Sequence, residues 1–157
     1  MQVENISFSS YNVKDFNDDK FPAVKYLFDK STFLLLQETW LNEKEFIRKF
    51  KTHISKESEC ISANRMDDAD FKRGRRHGGV SIVHHSNIRS KVETIPTRSK
   101  CICVQKITID DIILLLINVY MPSSDNNDDL DVYSSILQEI SSICIRNITP
   151  MIIIGGD

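Results

Sequence analysis

Four polar side chains stand where apolar runs stop. Asn12 ends residues 6–12 (ISFSSYN), Glu38 ends residues 33–38 (FLLLQE), Tyr120 ends residues 112–120 (IILLLINVY) and Asp157 ends residues 151–157 (MIIIGGD). Buried strands read as apolar runs or alternations, and the backbone becomes reachable where such a run ends. An amide, a phenol and two carboxylates brought to one rim of a sheet would line a polar pocket on a rigid base. A carboxylate held at the end of a buried strand costs desolvation unless a cation pairs with it. Mg2+ suits that place, because it binds hard oxygens through one or two carboxylates plus waters and substrate phosphate. Asn12 both donates and accepts, so it could orient a carboxylate, a water or a phosphate oxygen. The Tyr120 hydroxyl could reach a phosphate. Asp157 follows Gly155-Gly156, whose backbone tolerates sharp turns and close approach, and it suits a general base or a water-orienting group.

Each residue also has a plainer reading. Glu38 could be a strand-end charge in a salt bridge, Asn12 the opening of a turn, and Tyr120 a packing residue. Asp157 is the least easily dismissed, because Gly-Gly-Asp after three isoleucines is an unusual construction.

The elements that would position these residues follow from periodicity. Strands are expected at about 5–12 and 32–38. Between them Pro22 suits a first helical turn, and Phe21, Val24, Leu27 and Phe28 share one helix face. Asn42 caps a helix over 43–50. Residues 64–78 carry charge and no apolar period, which reads as a long exposed loop. Further strands fit 80–84, 90–95, 100–109 and 111–120, with Asp110-Asp111 at a tight hairpin turn. Residues 128–146 give a helical period, and 151–154 read as a fully buried strand. Strands interrupted by only three helices imply an α+β layered sandwich and not a doubly wound sheet.

Composition narrows the classes. The chain has 157 residues, 41% hydrophobic and 27% charged, with a net charge of −2, so it is no polycation. Charge is uneven: residues 71–100 hold eight Lys or Arg against Glu93 alone, while residues 125–131 hold four Asp and no base. A local basic face suits phosphate, and a solvated surface of mixed charge is the alternative. The four cysteines form no CxxC pair and no metal spacing, and nothing requires an oxidising compartment. Cys101 and Cys103, two apart, are expected on one face of a strand as small apolar residues. The N-terminus is no signal peptide, and the longest apolar run is too short to span a bilayer.

The order of the motifs is more specific than any one of them. Asn12, then QETW at 37–40, Gly-Gly-Val-Ser-Ile at 78–82, Asn-Val-Tyr-Met-Pro at 118–122 and Gly-Gly-Asp at 155–157 resemble the endonuclease/exonuclease/phosphatase superfamily. The segments YNVKDF, FLLLQETWL, GRRHGGVSIVHH and NVYMPSS are most similar to the apurinic-type endonuclease domain of non-LTR retrotransposons. The resemblance implies a deoxyribonuclease-I-like four-layer α/β sandwich with mostly antiparallel sheets, of which residues 1–157 are the N-terminal, truncated part. It implies Mg2+-dependent phosphodiester hydrolysis in DNA, with Mn2+ as a substitute. Asn12 and Glu38 would belong to the metal centre, Tyr120 would contact the scissile phosphate, and Asp157 would align or deprotonate the attacking water. Arg73, Arg75 and Arg76 would hold the nucleic-acid backbone. A reverse transcriptase domain downstream and an intracellular, nuclear place of action are implied in the same way.

In that family the Gly-Gly-Asp motif runs on into a second half that ends in an acid–His pair, and residues 1–157 hold no counterpart to it. These residues alone are therefore expected to be inactive, and residues 112–119, which read as a central strand buried on both faces, are expected to have one face left open where a partner sheet is missing. The alternatives are a phosphatase or phosphodiesterase of the same superfamily, because fold does not fix function, and a non-catalytic fragment or remnant.

Overall fold

The computed structural model describes residues 5–64, 78–121, 127–148 and 151–157. Among them the elements run β1 (Phe8–Asn12), α1 (Phe21–Lys30), β2 (Phe33–Gln37), α2 (Glu43–His53), β3 (Ser58–Ala63), β4 (Val80–His85), β5 (Lys91–Ile95), β6 (Ile102–Ile109), β7 (Ile112–Val119), α3 (Asn127–Arg146) and β8 (Met151–Gly156). Local chemistry sets their ends. Pro22 sits in the first turn of α1, where its missing N–H removes no helix bond. The Asn42 side chain accepts from Glu45 N at 2.9 Å and caps α2. Asp110, at φ 50°, turns β6 into β7.

The strands form two four-stranded sheets, ordered β1-β2-β4-β3 and β5-β6-β7-β8. β1 with β2 and β7 with β8 are parallel, and the other four pairings are antiparallel. Alternation along the strands makes four layers. Leu34 and Leu36 of β2 face α1 and α2, where Phe28, Phe46 and Phe50 fill the space. Phe33 and Leu35 of β2 turn the other way and meet Leu114 and Leu116 of β7 between the sheets. Leu115, Ile117 and Val119 of β7 face Ile136 and Ile143 of α3. The order helix, sheet, sheet, helix is the α+β sandwich expected from the sequence.

Several expectations need correction. β7 is the central strand buried on both faces that its composition predicts, from Leu114 to Val119, but neither face is left open as a missing partner sheet would require. The chain crosses to the second sheet after β4, so strands of both sheets lie within this chain. Each buried Leu or Ile there contributes about 1.5–3 kcal/mol. β8 is not a fully buried strand. It pairs with β7 on one side only, and Ile152 and Ile154 remain 43% and 52% exposed. Apolar composition marks a strand without revealing that it lies at an edge. β3 escaped the sequence reading, because SECISA is short and mixes polar with apolar residues. Cys101 and Cys103 do not share a face. Cys101 precedes β6 and packs on the α3 side, whereas Cys103 lies between the sheets. Burial raises the Cys103 thiol to about 12 and the Cys60 thiol to about 11, so both remain protonated fillers at neutral pH. Among the described residues no helix is long and apolar enough to cross a membrane.

His84 gives the fold a pH dependence. It is 6% exposed in β4 against Phe33, and burial lowers its pKa below the ordinary 6.5. As pH falls through 6.5 the unfolded chain binds a proton that the folded chain resists, so stability is full above that value and declines below it. Urea unfolding at pH 7.5 and pH 5.5 should show a lower midpoint at pH 5.5, and His84→Gln should reduce the difference.

Candidate active site

The rim of the first sheet is built where β1 and β2 end side by side. Val13 N donates to Gln37 O at 3.0 Å, Asp15 N to Glu38 O at 2.9 Å and Phe16 N to Thr39 O at 3.1 Å. The parallel pairing thus continues past the strands and keeps Asn12 beside Glu38. Glu38 and Trp40 adopt φ 51° and 56°, a left-handed region that non-glycine residues rarely visit. Thr39 between them is fully buried. Trp40 N donates to Gly78 O at 3.0 Å. Gly79 takes φ 93°, and a Cβ there would stand 2.5 Å from Thr39 Oγ1. Glycine is needed so that the β4 entry can pass this close to the Glu38 turn.

The rim of the second sheet is built where β7 and β8 end. Val119 pairs with Gly156. Asp157 N then donates to Val119 O at 3.2 Å, and Met121 N donates to Asp157 O at 2.8 Å. A Cβ on Gly156 would lie 2.2 Å from Val119 O, which glycine alone avoids. Tyr120 N donates to Cys101 O at 2.9 Å. Its ring lies 3.7 Å from the place of a Cβ on Gly78, so the Tyr120 side chain meets the turn that holds Trp40.

The two rims meet at one amide. Asn12 Nδ2 donates to Glu38 Oε1 at 2.7 Å and also to Asp157 Oδ2. Asn12 Oδ1 accepts from Lys14 N at 3.0 Å, which turns the amide nitrogen toward both carboxylates. Trp40 Nε1 donates to Glu38 Oε2 at 3.4 Å. Asn12 and Glu38 are half-buried and Asp157 is exposed, so the group opens outward. Among the described residues neither carboxylate has a basic partner; the ion pairs there are Lys25–Asp29 and Lys91–Glu93, at other places. Two carboxylates drawn together without a countercharge fit a hard cation that completes its shell with waters and phosphate. No cluster of three or more His, Cys, Asp or Glu among the described residues would cage a metal by protein ligands alone.

Of the residues expected from the sequence, Asn12, Glu38 and Asp157 are in contact, and Tyr120 lies at the same rim. Arg73, Arg75 and Arg76 lie outside the described residues. Two buried residues escaped the sequence reading. Gln37 Nε2 donates to Asn118 Oδ1 at 2.6 Å and to Ser10 Oγ at 3.0 Å. Asn118 Nδ2 donates to Leu36 O at 2.9 Å and Ser81 O at 2.8 Å. Their signal was a polar residue inside an apolar run, on the face that points at the other sheet. Trp40 was missed as a donor to Glu38.

No protein-family model matches the chain, and no curated protein matches it in sequence. Solved structures match over nearly its whole length. The endonuclease domain of TRAS1, a telomere-specific non-LTR retrotransposon, is 15% identical with a TM-score of 0.62, over 98% of this chain and 58% of that one. The AP endonuclease LMAP from Leishmania major is 15% identical with a TM-score of 0.69, over 97% and 54%. A mannosyl-6-phosphatase from Bacteroides thetaiotaomicron is 13% identical with a TM-score of 0.61, over 98% and 65%. The chain thus spans between 54% and 65% of these three proteins. Similarity over 97–98% of the chain gives it the fold shared by these proteins, a deoxyribonuclease-I-like α/β sandwich.

Proposed function

We propose that this chain carries the metal-side half of a phosphodiester-hydrolysing site that nicks DNA for a non-LTR retroelement. The observation that supports this reading best is the Asn12 amide donating to two carboxylates from two different sheets. Glu38 and Asp157 are the oxygen donors suited to Mg2+ or Mn2+. When bound, the ion would supply Lewis acidity and neutralise charge gathering on the phosphate. With its nitrogen aimed at both carboxylates, Asn12 orients them; the family resemblance would have it contact the metal as well. Asp157 Oδ2 is held by Asn12, while Oδ1 makes no hydrogen bond among the described residues; the residue is exposed and would accept a proton from water. Tyr120 contacts the scissile phosphate from the neighbouring turn. Arg73, Arg75 and Arg76 neutralise flanking phosphates without reading sequence. A reverse transcriptase domain in the same polypeptide and action in the nucleus follow from the retroelement reading. Hydrolysis of a small phosphate ester is the second reading, favoured by the phosphatase of the same fold.

Trp40 is the chain's single tryptophan and donates to Glu38, so its emission reports on the rim. Mg2+ should change that emission saturably, and Glu38→Gln should abolish the change; a flat titration counts against a metal at this place. For turnover, the protein extended through a second half should nick supercoiled plasmid with Mg2+, and residues 1–157 alone should not. Groups that act as a unit are non-additive, so Glu38→Ala or Asp157→Ala in the extended protein should each lower the rate by about 10³-fold or more. Nicking by residues 1–157 alone that Glu38→Ala stops would overturn the need for a second half. Cleavage of small phosphate esters with no nicking would favour the second reading. Gly156→Ala should act through geometry: its Cβ would meet Val119 O at 2.2 Å, so Asp157 should leave its place. The expected result is loss of the Mg2+ response in a chain whose far-ultraviolet circular dichroism is unchanged.

A further inference from the structure

Glu38 and Asp157 reach the site from separate sheets, and apolar packing between sheets has no preferred direction. Contacts among Phe33, Leu35, Ile82 and Leu116 would tolerate a small slide of one sheet over the other. Hydrogen bonds would not. Asn118 has no exposure and lies on the inner face of β7, three residues before the loop that follows Tyr120. Its Oδ1 accepts from Gln37 at 2.6 Å, and its Nδ2 donates to two carbonyls of the opposite sheet at 2.8 and 2.9 Å. Gln37 is the residue before Glu38. Asn118 pairs in register with Gly155, two residues before Asp157. The bonded pair therefore joins β2, which leads into Glu38, to β7, the hydrogen-bonded neighbour of the β8 strand that leads into Asp157.

We propose that Asn118 and Gln37 are positioning residues that lock the two sheets in the one register that brings Asp157 and Glu38 together on Asn12. The function of that register rests on the endonuclease reading, but its geometry does not. Placement errors of about 1 Å can cost about 10²-fold in rate, so a slide too small to unfold the core is large enough to undo the site.

The test follows the Asn12 side-chain amide by ¹⁵N–¹H nuclear magnetic resonance. In the wild-type chain its two protons should be shifted downfield and slow to exchange, because both are donated to carboxylates. Asn118→Leu keeps the branched shape, with bulkier methyl groups, and removes the three bonds. Gln37→Met removes one bond and leaves Asn118 its two carbonyls, so it serves where Asn118→Leu is too damaging. In each folded variant the Asn12 resonances should move to free-amide values while backbone dispersion is kept. Mn2+ affinity measured by calorimetry should fall about tenfold in Asn118→Leu, as expected for displaced ligands. A role confined to stability would lower the melting temperature and leave the Asn12 resonances in place, and that result overturns the proposal. If the wild-type chain binds no Mn2+ while the Asn12 resonances respond as expected, the register role stands and the endonuclease reading falls.

Discussion

Asn118 has no exposure, lies between two sheets packed with Leu, Ile and Phe, and bonds at three points to the opposite sheet. An amide in that position is costly unless its bonds are made, and here they are made in directions that only one relative placement of the sheets allows. An apolar residue of the same volume would pack at least as well and would specify less. Everything at the rim inherits this choice. β8 takes its register from β7, and the turn at Glu38 begins one residue after Gln37.

The rim itself holds a second constraint, which is like charge at close range. Glu38 and Asp157 share one neutral donor, and Trp40 adds another on the far oxygen of Glu38. Neutral donors can arrange two carboxylates without cancelling them. The negative field that remains attracts a cation, whereas an Arg or Lys in the place of Asn12 would quench it. The left-handed backbone at Glu38 and Trp40 belongs to the same design. Such conformations cost about 1–3 kcal/mol each, and here the strain lies on either side of Thr39, whose burial holds the turn.

Much of this could be read from the chain, and the limit lies between local and non-local information. Strand ends are written locally. The change from Leu34-Leu35-Leu36 to Gln37-Glu38, or from Ile154 to Gly-Gly-Asp, marks the place where a strand surfaces, and the residues so marked, Asn12, Glu38 and Asp157, are in contact in the structure. Helix caps are local too, as Asn42 shows. Whether a strand is central or at an edge is not local, so residues 151–154 read as fully buried although only β7 flanks β8. The partnership of Gln37 with Asn118 spans 81 residues. Each alone is an odd polar residue in an apolar run, and only the packing of the sheets shows that one explains the other.

Asn12 and Asp157 are 145 residues apart along the chain. The length-dependent entropy of closing such a loop is about 4 kcal/mol, more than one hydrogen bond returns, so their bond cannot form ahead of the structure between them. Both sheets and the crossing from one to the other must come first. A chain still emerging from the ribosome already holds Asn12 and Glu38 as neighbours, yet it has no second carboxylate until β8 has paired with β7. The contact of Asn12 with Asp157 is thus a late one, and partly made or partly unfolded forms of the chain do not hold the two carboxylates together.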